Sequence, residues 1–205
     1  MFNHTGDELL SELGFGVGDK LDLETNPKKP QAYPEFKIEF INTVYNAARG
    51  LGYTSYYSLL MATQAAKESA WGARAGGNIF GIQWSDRFTN YKPITITTHE
   101  VIDGVREKRE EQFVDLTGYS IKDNIKFYDS LIEKRFSDVK KFADQGDLKN
   151  AVKSFKHVDE GGNRTAYFTE ADGSLTPDQY ATDPDYVETL TDTIRSAQLR
   201  IGLIK

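Results

Sequence analysis

The amino-acid sequence predicts an α+β fold: a mainly helical domain with a small β-hairpin lobe flanking a groove. Three observations carry this expectation. From Phe36 onward, apolar residues recur at three- and four-residue spacing over most of the chain, the period of helices with one buried face. One stretch, residues 94–114, switches to a two-residue period and is broken by Asp103-Gly104, the strongest short hairpin signal. A hydrophobic content of 39% in 205 residues suffices for one full core, so helices and hairpin are expected to share it.

Taken in order, residues 1–34 read as an arm. Gly14, Gly16 and Gly18 alternate with apolar residues, and Asn26-Pro27-Lys28-Lys29-Pro30 has the composition of a linker. Leu9, Leu10 and Leu13 offer a surface to the main domain or to a partner. Residues 35–205 form the main domain. Its first helix carries Phe36, Phe40, Ile41, Val44 and Ala48 and stops at Gly50 and Gly52. A second is expected from Thr54, its N-cap, through Leu59, Leu60, Thr63, Ala66 and Ser69 to Gly72. The hairpin follows, with Ile94, Ile96, Glu100 and Ile102 on one face and 105–114 as the returning strand. Helical spacing resumes over 125–142 and 151–155. The last helix is expected to begin at Asp183-Pro184, the acid as N-cap and the proline at the first helical position. It carries Tyr186, Leu190, Ile194 and Ala197. There is no internal repeat.

Composition removes several classes of function. A net charge of -6 argues against nucleic acid, whose phosphates reward basic surfaces. The absence of cysteine excludes disulfides, zinc-thiolate sites and cysteine nucleophiles. His4, His99 and His157 lack ligand spacing, so no metal is expected. Glu170-Ala171-Asp172-Gly173 resembles half a calcium loop, but Phe168 and Gln179 stand where acids are needed. No Gly-rich phosphate loop or Ser/His/Asp constellation is present, and no cofactor is implied. No stretch is apolar enough to span a membrane. Residues 1–20 lack the basic start and apolar run of a secretory signal. A target outside the cytoplasm would therefore require another route of delivery, or prior removal of a leader.

The informative stretch is Gln64-Ala65-Ala66-Lys67-Glu68-Ser69-Ala70-Trp71-Gly72, followed by Asn78-Ile79-Phe80-Gly81-Ile82. On a helix, Glu68 lies one turn beyond Gln64 and Ala65, with Met61 a further turn back. A carboxyl group then ends a largely uncharged stripe near Trp71. Apolar surroundings and the negative end of the helix dipole both favour its protonated form. A carboxylic acid kept protonated near neutral pH is what cleavage of a glycosidic bond requires, since the leaving oxygen must receive a proton. Pattern alone also allows a solvated glutamate in the last turn.

These residues resemble the signature of glycoside hydrolase family 73, peptidoglycan N-acetylglucosaminidases that include several autolysins and the enzymatic half of the flagellar rod-cap protein. Three further segments fit in order. Thr97-Thr98-His99-Glu100-Val101-Ile102-Asp103-Gly104 resembles the family's hairpin, Lys126-Phe127-Tyr128-Asp129-Ser130-Leu131 its next helix, and Tyr180-Ala181-Thr182-Asp183-Pro184-Asp185-Tyr186 its late tyrosine motif. The likeness spans about residues 36–201. It implies a lysozyme-like fold, Glu68 as general acid, Glu100 as second carboxylate and Tyr180 as a groove tyrosine. Residues 110–123 and 159–179 depart from the family's pattern as insertions where groove walls would be.

Glu100 has its own case. With a two-residue Asp103-Gly104 turn it faces Glu107 across the strands, and paired carboxylates hold a proton more tightly. Glu107 is the reserve if the register slips, and the substrate's own acetamido oxygen is the alternative to water activated at Glu100. Tyr180 could instead pack in the core. Trp71 and Trp84 could stack on sugar rings, Trp84 being the better surface candidate, while Asn78 and Phe80 are expected to shape the turn after the helix of Glu68 and are candidates for substrate contact there.

The resemblance therefore implies hydrolysis of the β-1,4 bond after N-acetylglucosamine in cell-wall glycan, in the periplasm or outside the cell. The glycan strand is the expected partner. An immunity protein, or a phage or secretion-apparatus component, is a candidate for the arm. The rivals are a muramidase or lytic transglycosylase on the same fold, and a catalytically silent wall-binding module.

Overall fold

The structure, a computed structural model, describes residues 35–73, 77–86, 88–102, 105–156, 167–169, 175–177, 180 and 185–200. The arm, the Asp103-Gly104 turn, the Asp183-Pro184 cap and the rejected calcium-like segment lie outside these residues. The described residues form six helices and two antiparallel strand pairs.

Helix α1, Glu35–Arg49, buries Ile41, Val44 and Ala48 along one face, the stripe its spacing predicts. Helix α2, Ser55–Glu68, is capped by Thr54, whose hydroxyl accepts from the Tyr57 amide. Every residue from Tyr57 to Ala66 is buried. A helix covered on all sides is the axis of a core rather than its wall. It ends at Glu68, earlier than the expected Gly72, because Ala70 and Trp71 turn into left-handed backbone.

The hairpin comprises β1, Pro93–Ile102, and β2, Val105–Val114, with Ile102 opposite Val105 and Glu100 opposite Glu107. This is the register expected for a two-residue turn. Along β1, Ile94 and Ile96 are half-buried while Thr95 and Thr97 are exposed, the alternation of a strand with one face turned toward the protein. At its base the hairpin is stitched to the segment after α2. Val114 donates to the Ile82 carbonyl at 3.0 Å and Trp84 to the Gln112 carbonyl at 2.9 Å.

Helix α3, Ile121–Arg135, opens with a capping box formed by Ser120 and Asp123. The residues read as an insertion, 110–123, thus resolve into the end of β2 and the turn that starts this helix. The continuous helix expected over 125–142 is broken. Buried Phe136 leaves helical geometry at φ -134°, and α4, Ser137–Asp144, sets off in a new direction. Helix α5, Leu148–Ser154, follows, capped by Asp147. A short ribbon, β3 Tyr167–Thr169 with β4 Leu175–Pro177, lies in the second region read as an insertion. Helix α6, Tyr186–Arg200, buries Tyr186, Leu190, Ile194 and Ala197 at the spacing read from the sequence.

Helices α1, α4 and α6 pack around α2. A polar hub joins α3 and α4 to the start of α2. The Asp129 carboxylate accepts from the Tyr53 hydroxyl at 2.8 Å and the Tyr57 hydroxyl at 3.0 Å, and pairs with Lys140 at 3.1 Å. Burial first, then the bond to Asp129, raises the Tyr53 hydroxyl well above its usual range. Burial alone would lower the Lys140 ammonium, but its bonds to Glu133 and Asp129 outweigh this and raise it. Satisfied on every side, the hub fixes where α2 begins, and through the rigid helix where it ends.

Candidate active site

Glu68 is the last residue of α2, and the chain reverses sharply behind it. The Ser69 hydroxyl donates to the Ala65 carbonyl and accepts from the Gly72 amide at 2.7 Å, while the Trp71 amide reaches the Ala66 carbonyl. Ala70, Trp71 and Gly72 all have positive φ, a conformation that costs a non-glycine residue about 1 kcal/mol or more. The reversal brings residues 78–82 back across Glu68. Gly81, at φ +62°, lies so close that a Cβ there would stand 3.2 Å from Glu68 Oε2 and 3.3 Å from its Cβ.

Asn78 secures this return. Its amide donates to the Ile82 carbonyl at 2.9 Å and the Val114 carbonyl at 3.1 Å, and accepts from the Ile82 amide. It is buried and fully used, so its role is to join the loop to the hairpin base. Phe80 is also buried, stacked on Tyr128 with centroids 4.0 Å apart. Its carbonyl accepts from the Tyr180 hydroxyl at 2.6 Å. Both side chains are engaged in the turn itself.

Three phenols surround Glu68: Tyr128 from α3, Tyr180 from the segment before α6, and Tyr186 from the start of α6. All three are held well above the usual phenol range, first by burial and then by the charge of Glu68. They are neutral at any working pH and offer hydroxyl dipoles without adding charge. Gln64, one turn back on α2, links the outer pair. Its Oε1 accepts from the Tyr128 hydroxyl and its Nε2 donates to the Tyr186 oxygen at 3.0 Å.

Of the remaining candidates, Tyr180 is half-buried beside Glu68, packed edge-on to Phe155 and Phe136. Lys37 of α1 sits 4.6 Å above the Trp71 ring. Trp84 is half-buried at the hairpin base, and its indole nitrogen is closed to solvent with no hydrogen-bond partner among the described residues. Glu100 and Glu107 occupy facing positions on the backbone, while their side chains lie outside the described residues. Among the described residues no group of three or more His, Cys, Asp or Glu is placed to hold a metal. No described helix is long and apolar enough to cross a membrane.

Sequence reasoning missed Gln64, Gly81 and Tyr186 as site residues. Gln64 read as part of an uncharged stripe, and Tyr186 as one apolar position among Leu190, Ile194 and Ala197. A polar tip on a periodic core position was the available signal for both.

One carboxyl group held among neutral hydroxyls suits acid catalysis at an acetal oxygen, and the class of protein that this fold and site define is the glycoside hydrolases. The model of the glucosaminidase family, described as mannosyl-glycoprotein endo-beta-N-acetylglucosaminidase, matches residues 43–199, and the chain belongs to that family. Its structure is similar to the catalytic domain of the autolysin Auto from Listeria monocytogenes, at 25% identity and a TM-score of 0.51, covering 84% of this chain and 89% of that one. It also shares its fold with a peptidoglycan hydrolase mutant from Sphingomonas sp. A1, at 23% identity and a TM-score of 0.50, covering 80% of this chain and 98% of that one. A search of curated proteins gives no match.

Proposed function

We propose that this glucosaminidase cleaves the β-1,4 bond after N-acetylglucosamine in bacterial cell-wall glycan, with Glu68 as the general acid. The observation that carries the assignment is the setting of Glu68. It ends a helix buried from Tyr57 to Ala66, under Gly81, among three hydroxyls that stay neutral. A carboxyl group so placed donates its proton to the leaving oxygen as the sugar develops oxocarbenium character. The autolysin likeness supports wall glycan as the polymer, and with it action in the periplasm or outside the cell. Glu100, whose backbone position pairs with that of Glu107 in the hairpin, is assigned to water activation. The hairpin is tied to the loop that covers Glu68, which supports placing that carboxylate across the groove from the acid.

The test is a digest of purified peptidoglycan, reduced with borohydride and analysed by mass spectrometry. Reduced N-acetylglucosamine at the new ends is the expected product. Anhydromuramyl ends would make the enzyme a lytic transglycosylase, and reduced muramic acid ends a muramidase. Glu68→Gln keeps the volume and removes the proton, so wall lysis should fall by about 10²–10⁴-fold with the melting temperature nearly unchanged. Near-normal lysis by that variant would remove Glu68 from the chemistry.

A further inference from the structure

We propose that Phe88, Tyr91, Tyr119 and Phe127 form an aromatic platform beside the loop over Glu68, on which sugar rings of the glycan strand stack beyond the cleaved bond. The inference rests on wall glycan being the substrate.

Three tight turns build the platform. The Phe88 amide donates to the Ser85 carbonyl and the Tyr91 amide to the Phe88 carbonyl, both at 2.9 Å, so the two rings stand on consecutive turns. The Tyr119 amide closes a third turn on the Leu116 carbonyl at 3.0 Å, with Gly118 at φ +84° where such a turn needs positive φ. Tyr119 directly precedes Ser120, the N-cap of α3. An apolar residue there ordinarily packs on the fourth residue of its helix. Here that residue is Asn124, whose side chain accepts from the Ile79 amide. Tyr119 is set against Tyr91 instead, with ring centroids 6.0 Å apart, and is 49% exposed. Tyr91 leans on Phe127 at 4.6 Å, and Phe127 meets Phe88 edge-on at 5.3 Å. These three rings are half-buried, so each is anchored by its neighbours and still presents surface to solvent.

Placement and chemistry together name the occupant. Phe127 stands one turn of α3 beyond Asn124, the residue tied to the loop 78–82. It is also next to Tyr128, on which Phe80 of that loop stacks. The platform therefore continues the surface that covers Glu68. A contiguous patch of partly exposed aromatic rings marks an interaction site rather than ordinary surface. Tyr91 and Tyr119 each join an apolar ring to a hydroxyl tip. A pyranose is their counterpart, with an apolar face of C–H bonds and a rim of hydroxyls. A glycan strand repeats that ring along its length, so a strand held at Glu68 carries further rings to the platform. Stacking there supplies binding energy remote from the reacting bond, and it favours long strands over short ones.

The experiment is co-sedimentation of the full chain with purified peptidoglycan, in a Glu68→Gln background that leaves the polymer intact. A stacked ring is worth about threefold to tenfold in affinity. Tyr119→Ala and Tyr91→Ala should each raise the half-saturating concentration of peptidoglycan by that factor. Tyr119→Phe keeps the ring and should stay within about twofold of its parent. Tyr119 lies at the exposed end of the platform, so Tyr119→Ala should melt as its parent does and carries the test should Tyr91→Ala not fold. Competition with N-acetylglucosamine oligomers gives a second readout: longer oligomers should displace the parent better than the disaccharide does, and Tyr119→Ala should lose that advantage. Undiminished binding by a folded Tyr119→Ala, or a Tyr119→Phe as weak as Tyr119→Ala, would overturn the platform. So would a Tyr119→Ala that turns a dimer into a monomer in analytical ultracentrifugation with peptidoglycan binding intact, since the patch would then join two copies of the chain. A digest without the expected ends, or cutting by Glu68→Gln, would instead refute the underlying reading, which keeps the two failures distinct.

Discussion

At the scale of single residues, the site depends on what lies within one atom's breadth of Glu68. Gly81 is the sharpest case, since its positive φ and its distance from Glu68 Oε2 both exclude a side chain. Gly81→Ala is expected to cost about 1–2 kcal/mol from backbone strain alone, lowering the melting temperature by roughly 2–8 °C. Its effect on wall lysis should be larger than this implies, because the methyl group presses on the acid. Lysis at native levels in a folded variant would show that the loop does not position Glu68. Glu68, Asn78 and Phe80 were legible in the sequence because they stand in two short neighbouring runs, 64–72 and 78–82. Gln64 and Tyr186 were not, because their hydroxyl or amide tips meet across 122 residues of chain, and spacing along the chain says nothing about such a meeting.

Among the elements, the hairpin was the most legible, since Asp103-Gly104 sets the register and the alternation sets the face. The pairing of Glu100 with Glu107 follows from those two features together. Glu100→Gln should reduce turnover strongly if water is activated there. A loss below about threefold, with Glu107→Gln equally mild, would transfer that role to the substrate's acetamido group. The break between α3 and α4 was illegible because apolar spacing continues through Phe136, so periodicity alone reads one helix. What the pattern hides is the hub at Asp129, where two tyrosines and Lys140 converge from α3, α4 and the start of α2. Asp129→Ala leaves two hydroxyls without their acceptor and Lys140 with Glu133 alone. It is expected to cost about 2–4 kcal/mol, seen as a fall in the denaturant midpoint. A change below about 1 kcal/mol would mean the hub does not hold these helices together.

For the molecule as a whole, buried phenols set the upper pH limit. Tyr57, Tyr128 and Tyr186 are buried, and burial raises each well above its usual range. In the unfolded chain they ionise near pH 10. Above that value the unfolded state has released protons that the folded state keeps, so stability present below pH 10 is lost as pH rises. The slope is about 1.4 kcal/mol per pH unit for each such tyrosine. Melting curves from pH 9 to 12 should fall steeply, with tyrosinate absorbance from these residues appearing together with unfolding. Ionisation of all 11 tyrosines near pH 10 in a folded protein would contradict this. The hairpin carries a different kind of whole-molecule consequence, a mechanical one. Its strands are ten residues long, about 33 Å at 3.3 Å per residue, and the base is stitched to the loop that lies over Glu68. It is a lever whose fulcrum is the loop packed over Glu68. A tilt of about 10° at that fulcrum carries the far end of the strands through roughly 6 Å, so any load on the hairpin falls on the few backbone hydrogen bonds that join its base to that loop.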